Sequence, residues 1–540
     1  MSDPGSSSTF DLAAGRFASG LAGELLEGRC CDLLSPLRFL RPGEALEPAP
    51  RPGERAAIAS ELAAANEAYG HPRARELAER FAAPETVVIV AGQQAGLLGG
   101  PLYSLTKMIG VARWAELLEA RGIPAVGVFW VATEDHDYRE VAVAKVPARG
   151  GLLSLDLGDD PEPLRPVGPR LLGAAITPAL ESLRSAYTSE PEAEAWRLVT
   201  DCYRPDATFG DAFCRLMVGL LGERAPLVLD SMLPAMKAAQ RPWLERLVDR
   251  RDAVCDALAV ASGRVEESGR KVQVREGDRH SGLFVVADGE RRRVVWHGAS
   301  EWGLRGADDA HEDVATLLAR IQDDPGSVSP GVLARPALQD AVLGSCLQLM
   351  GPGELAYLAQ AASLYPVLGI EAPATTLRPQ MLVLERRQRR HLERLGLGLA
   401  EVLGPEDEVE RRLALGHGGE ALEEVRERVL AEIESLRGAC TEVDANLKRP
   451  WQKTRDTVDR ALGTLGGKLN AAVVQRDEVV RRRLAGVREA CLPGGAPQER
   501  VVASAHYALR HGLRFAAAAY AQLDPGSDRI QIIDPEAGPA

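Results

Sequence analysis

The chain has 540 residues, 45% of them apolar and 26% charged, with 77 acidic against 64 basic side chains and a net charge of −13. A chain this long can bury a large core and is expected to hold more than one domain. The acidic balance argues against nucleic acid as the main partner, because phosphate backbones need a basic surface.

No apolar run approaches the ~20 residues of a membrane span. The polar start, MSDPGSSSTF, lacks the basic and apolar regions of a secretory leader, so cytoplasm is the expected compartment. Eight scattered cysteines without a CxxC pair speak against a disulfide framework or a structural zinc site.

In chain order, residues 1–85 read as helices and loops. Thr86–Val90 (TVVIV) reads as a buried strand, followed by a loop dense in glycine and amides, Ala91–Lys107, and a helical pattern over Met108–Ala120. Ala125–Ala132 (AVGVFWVA) and Ala225–Leu229 (APLVL) are two more continuous apolar runs. Such runs point to strands covered on both faces, hence a parallel sheet with helical crossovers. Gly150–Gly210 reads as an insertion. Lys271–Trp296 reads as a second, a small β excursion of three alternating runs (VQVRE, LFVVADGE, RRRVVW) with a hairpin turn at Asp288-Gly289. Ser327–Pro379 has loop-and-helix character.

From about Gln388 the pattern changes. Leu422, Val425, Val429, Ile433, Leu436, Cys440, Val443 and Leu447 recur every three or four residues, and Pro450 is expected to stop that helix. Val458, Leu462, Leu465 and Leu469 repeat the spacing, as do Val480, Leu484, Val487 and Cys491. The step of 11 between Leu469 and Val480 is a stutter. Two long helices joined near Lys448–Lys453 predict an antiparallel coiled-coil hairpin. A helix from Gln498 to Leu523 is expected to return to the core.

Three polar clusters carry the candidate chemistry. The first is the glycine loop, at the strand-to-helix position where open α/β sheets bind ligands. It is neither a GxxxxGK[ST] nor a GxGxxG loop. Its glycines allow close backbone approach, Gln93 and Gln94 both donate and accept, and Tyr103 and Lys107 share a helix face, so that Lys107 can aim its charge at the guest.

The second is Glu134-Asp135-His136-Asp137, at a strand end. It suits a general base oriented by a carboxylate, metal binding, or a helix cap. Because neighbours on extended backbone point alternately, all four cannot converge on one ion. The third is Arg335–Tyr357 with Arg378. Its arginines can fork onto carboxylate or phosphate, Gln339 and Asp340 lie a turn beyond Arg335, and a Gly351–Glu354 turn leads into a helix. GxSxG and HxGH are absent.

The stretches GQQAGLLGGPLYSLTK (92–107), VFWVATEDHDY (128–138), RPALQD (335–340), GPGELAYLAQ (351–360) and PQERV (497–501) together resemble the cysteine-adding enzymes of bacillithiol synthesis, the BshC family. Ala91 departs from the family's usual threonine, and the segment before Pro497 is shortened. The resemblance implies an α/β fold, with a Rossmann-like parallel-sheet core, two inserted connecting segments and a C-terminal antiparallel α-helical coiled coil. The expected boundaries are core over 1–150, 223–270 and 327–385, insertions over 151–222 and 271–326, coiled coil over 386–496, and a returning helix over 497–540.

The resemblance further implies a ligase that joins cysteine to the amine of glucosaminyl-malate, and a homodimer formed through the coiled coil. ATP or ADP is a possible co-substrate, and no metal is expected. Catalytic roles then fall to His136, Asp137 and Lys107. Substrate binding falls to Gln93, Gln94, Gly96, Gly100, Pro101, Tyr103, Glu134, Asp135, Arg335, Gln339 and Arg378. The rival readings are a metal-dependent amide or sugar hydrolase built on Glu134–Asp137, and a non-catalytic scaffold that binds a small anion or nucleotide.

Overall fold

The computed structural model describes residues 9–11, 20–187, 189–275, 280–298, 300–306, 311–414 and 419–537. Two compact units are present: Thr9–Val383 together with Ala496–Ala540, and Leu384–Gly495.

In the first unit the three apolar runs are adjacent parallel strands. The central sheet contains β1 (Arg38–Phe39), β2 (Val87–Gln93), β3 (Ala125–Val131), β4 (Leu227–Asp230), β5 (Ser345–Met350) and β6 (Ala374–Leu377). Their order is β1-β6-β5-β2-β3-β4, every pairing parallel. All residues of β3 and β5 are buried, as expected for strands with helices on both faces. The region expected to be loop and helix, 327–379, supplies β5 and β6. Their apolar character is hidden in the sequence by Ser345, Gln348 and Thr375, which are buried nonetheless.

The first insertion is a hairpin, Val143–Ala148 with Gly151–Asp156, followed by helices Ile176–Ala186 and Ala193–Cys202. In the second, His280–Ala287 pairs antiparallel with Glu290–His297. Its turn residues, Asp288 (φ 52°) and Gly289 (φ 82°), take the left-handed values that an Asp-Gly hairpin turn requires. Among the described residues of VQVRE, 272–275, there is no strand. Strand Val328–Pro330 pairs with His280–Ala287 and ties this sheet to the core segment that follows.

The C-terminal stretch is not one helix. It forms Gln498–Val501, Ala505–His511 and Arg514–Gln522, then strand Arg529–Ile533, which runs parallel to Gln380–Val383. Gly512 at φ 79° separates the last two helices. Val502 and Ser504 direct their backbone groups to Leu102 and Gly100 instead of continuing the helix.

In the second unit, Gly419–Val443 and Lys448–Arg476 pack as a hairpin. Arg426 pairs with Asp459 at 2.6 Å, and the Trp451 indole donates to the Ile433 carbonyl at 2.8 Å. The index falls on one helix as it rises on the other, so the pair is antiparallel. Two details differ from expectation. Pro450 does not stop the first helix, which ends at Val443; it sits in the first turn of the second, where its missing N–H costs nothing. The stutter falls on a break: Asp477 accepts from the N–H groups of Val479 and Val480 and starts a new helix, Glu478–Cys491.

Candidate active site

The chain leaves β2 toward β3 on one side and β5 toward β6 on the other. A crevice therefore opens between the carboxyl ends of β2 and β5, the usual ligand position in such sheets. A cavity of about 670 Å³ occupies it. Four strand ends feed it: Gln93 and Gln94 from β2, Glu134 to His136 from β3, Gly351 to Glu354 from β5, and Arg378 from β6.

Lys107 is not a free charge. The residue is 2% exposed, and its ammonium donates to Gly92 O at 2.7 Å and Gln93 Oε1 at 3.0 Å and pairs with Glu354 Oε2 at 2.6 Å. All three of its donors are taken. Burial holds its pKa below the usual lysine value despite the Glu354 charge. Burial pushes Glu354 up, but Lys107 and the Gly351 N–H outweigh that and keep it low. Lys107 thus clamps the β2 loop to the β5 turn and is a positioning residue.

Arg335 lines the cavity, steadied by Gln339 Oε1 (3.0 Å) and the Tyr357 hydroxyl (3.1 Å). Gln339, 1% exposed, lies behind Arg335 and outside the lining. Arg378 is engaged by Glu499 in a fork, with the Nη1–Oε2 bond at 2.9 Å, and lies 5.3 Å from the centre of the Tyr103 ring.

The four residues Glu134–Asp137 go four ways. Glu134 forms a buried ion pair with Lys237. Asp135 accepts from Gln94 and from the His136 N–H. Asp137 caps the short helix Tyr138–Val141 from outside the cavity. His136 faces Arg291, whose Nη1 lies 3.1 Å from Nδ1. Arginine can only donate, so Nδ1 is the acceptor and the ring proton sits on Nε2. Burial and the Arg291 charge lower the His136 pKa. The expectation of His136 as a base thus meets an imidazole whose acceptor nitrogen is held by Arg291 and whose other nitrogen offers a donor, and Asp137 lies outside the cavity lining.

Gly96, Gly100 and Pro101 do not line the cavity. Gly100 and Pro101 seat the C-terminal segment instead: Ser504 N–H donates to Gly100 O at 2.8 Å, Leu102 N–H to Val502 O at 2.7 Å, and Pro101 bridges Ala503. The Gly100 N–H is used inside the loop, on Gly96 and Leu97 carbonyls. Gly100 holds φ +64°, and a Cβ there would lie 3.0 Å from Ser104 Oγ. With ψ at −171° this is a region essentially reserved for glycine, so Gly100→Ala is expected to cost about 1–3 kcal/mol of stability, seen as a lower unfolding midpoint with substrate affinity unchanged.

Several lining residues were not anticipated: Arg291, Arg293 and Phe284 from the second insertion, with Glu140, Trp130, Tyr357 and Arg500. RRRVVW held a usable signal, because strand alternation puts Arg291 and Arg293 on one face. Glu140 follows the acidic cluster by one turn. Glu140 is exposed at the cavity rim, and partial desolvation there with the charges of Asp137 and Asp135 raises its pKa to about 6.

A parallel α/β unit with a mixed-charge cavity at its carboxyl rim defines a Rossmann-like small-molecule site. The chain belongs to the BshC family. Residues 43–379 match the N-terminal Rossmann-like domain, and residues 381–535 the C-terminal coiled-coil domain, of the family described as bacillithiol biosynthesis BshC. Proteins described as "Putative cysteine ligase BshC" are similar throughout. One from Thermus thermophilus is 32% identical over 82% of this chain and 90% of its own length. Those from Salinibacter ruber (28%; 88% and 90%) and Heliobacterium modesticaldum (30%; 82% and 82%) align comparably.

Proposed function

We propose that this chain is the ligase that joins the carboxyl of L-cysteine to the amine of glucosaminyl-malate, forming bacillithiol. One observation carries the reading. A single cavity presents an arginine wall for a dicarboxylate and, on the same lining, the Glu140 carboxylate, whose pKa is raised, to take an amine proton. In the bond-forming step the amine nitrogen attacks the carbonyl carbon of an activated cysteine carboxyl. The C–N bond forms, the bond to the activating group breaks, and that group leaves with its electron pair. Glu140 takes the amine proton, and the His136 Nε2–H is a donor for the carbonyl oxygen. The hydrolase reading loses its ligand set, because Glu134, Asp135 and Asp137 are committed in different directions.

The test is chemical. Purified protein with cysteine, glucosaminyl-malate and ATP is expected to yield bacillithiol by mass spectrometry. No product, with or without added cell extract, overturns the assignment.

The co-substrate that activates cysteine is proposed to be a nucleotide. A second cavity of about 350 Å³ shares Pro352, Gly353 and Arg500 with the first. It is lined by Arg270, Lys271 and Arg500 together with Leu21, Leu33 and Val265; Arg270 is ion-paired with Glu24, so Lys271 and Arg500 are the cations offered to phosphates.

The homodimer through the coiled coil is likewise proposed. Leu436, Val443 and Leu465 are 56, 81 and 54% exposed, a costly arrangement on a solvated helix pair. Sedimentation is expected to give a dimer that dissociates when Leu436 and Val443 are replaced by lysine.

A further inference from the structure

Trp130 stands out among the cavity residues because its side chain is fully buried, yet its indole Nε1–H has no hydrogen-bond partner among the described residues. A buried donor left unpaired is costly, and a native structure that keeps one usually has a use for it. Trp130 lies on β3 and lines the cavity. Across from it on β2 is Gly92, paired with Trp130 in the sheet register. A Cβ on Gly92 would lie 3.7 Å from Trp130 Cδ1, the ring carbon bonded to Nε1, and 3.3 Å from Arg335 Nη1. The absent side chain thus leaves a gap in which an indole edge and a guanidinium meet. Arg335 commits two of its five N–H groups to Gln339 and Tyr357 and keeps others for a ligand.

We infer that Trp130 Nε1 and Arg335, brought together over Gly92, form the seat for one carboxylate of the substrate, that of its malate portion. The inference deepens the ligase reading and rests on it for the identity of the acid. A carboxylate completes both halves of the arrangement. One oxygen accepts from the indole and satisfies the orphaned donor. The other accepts from the guanidinium, whose charge a neutral hydroxyl would leave uncompensated. Trp130 is then a specificity-determining residue that no charge-based reading of the sequence singles out.

The experiment uses the full-length protein and malate as probe, with binding followed by calorimetry. Trp130→Phe keeps an aromatic side chain but removes the N–H together with part of the buried ring. The smaller ring is expected to lower the unfolding midpoint of the ligand-free protein somewhat, while the folded variant binds malate about tenfold more weakly. Gly92→Ala, which fills the gap and leaves the indole N–H in place, is expected to weaken malate as well. It carries the test if Trp130→Phe does not fold. Malate affinity unchanged in the folded variants, or no malate binding to the wild type, overturns the inference. Weakened malate binding in a protein that makes no bacillithiol leaves the seat standing and removes the ligase reading.

Discussion

Replacing Arg378 with alanine is expected to destabilise the protein by about 3–5 kcal/mol, the usual cost of leaving one member of a buried ion pair alone. The side chains of Arg378 and Glu499 are 2 and 5% exposed. The fork between them joins the end of β6 to the C-terminal segment, and Glu499 has no solvent to fall back on. Alanine strands that carboxylate next to the Met381 N–H, 3.5 Å away, with no compensating charge. Urea unfolding measures the loss. The double variant Arg378→Met, Glu499→Leu is expected to recover much of it, because removing both charges removes the desolvation cost along with the attraction. A single variant as stable as the wild type would show that Arg378 serves the ligand and not the fold.

Glu140→Gln is expected to lower kcat by about 10²–10⁴-fold, the range for loss of a general base. The working form of this base is the ionised one. Activity is therefore expected to rise with pH through about 6 in the wild type and to lose that limb in the glutamine variant. His136→Gln separates the candidates. His136 serves as a donor with its basic nitrogen held by Arg291, so its loss slows the reaction but leaves the limb near 6 in place. A limb that survives in the Glu140 variant and vanishes in the His136 variant would return the proton to the imidazole. Burial and Arg291 place that group's ionisation below the ordinary histidine value, so the two limbs are told apart by these variants and not by position alone.

Much of the sheet was legible because a strand buried on both faces leaves an uninterrupted apolar run. TVVIV, AVGVFWVA and APLVL became β2, β3 and β4 in contact with one another. The Asp-Gly hairpin and the helical hairpin were legible for the same kind of reason: turn dihedrals and a 3.5-residue spacing are local properties. β5 and β6 were hidden because Gln348 and Thr375 are polar groups buried by neighbours that no local pattern reveals. Of the proposed site residues, Gln93, Gln94, Tyr103, Lys107, Glu134, Asp135, His136, Arg335 and Arg378 line the cavity, while Gly96, Gly100, Pro101, Asp137 and Gln339 do not. Their chemistry was readable from residue type, but their direction was not. LLGGP reads as a ligand loop until one sees Ser504 and Val502 docked on it.

By itself the amino-acid sequence determined the layers, the coiled-coil hairpin, and which segments carry charge and amide groups, since these depend on spacing over a few residues. Only the tertiary structure decided what those groups are free to do. Lys107 reads as a charge for a guest until Glu354, far along the chain, takes it. His136 reads as a base until Arg291, contributed by an inserted hairpin, occupies its acceptor nitrogen. Trp130 reads as core until the gap left by Gly92 exposes its ring edge to Arg335. A side chain's role depends on which partners satisfy it, and here those partners come from segments separated by tens to hundreds of residues.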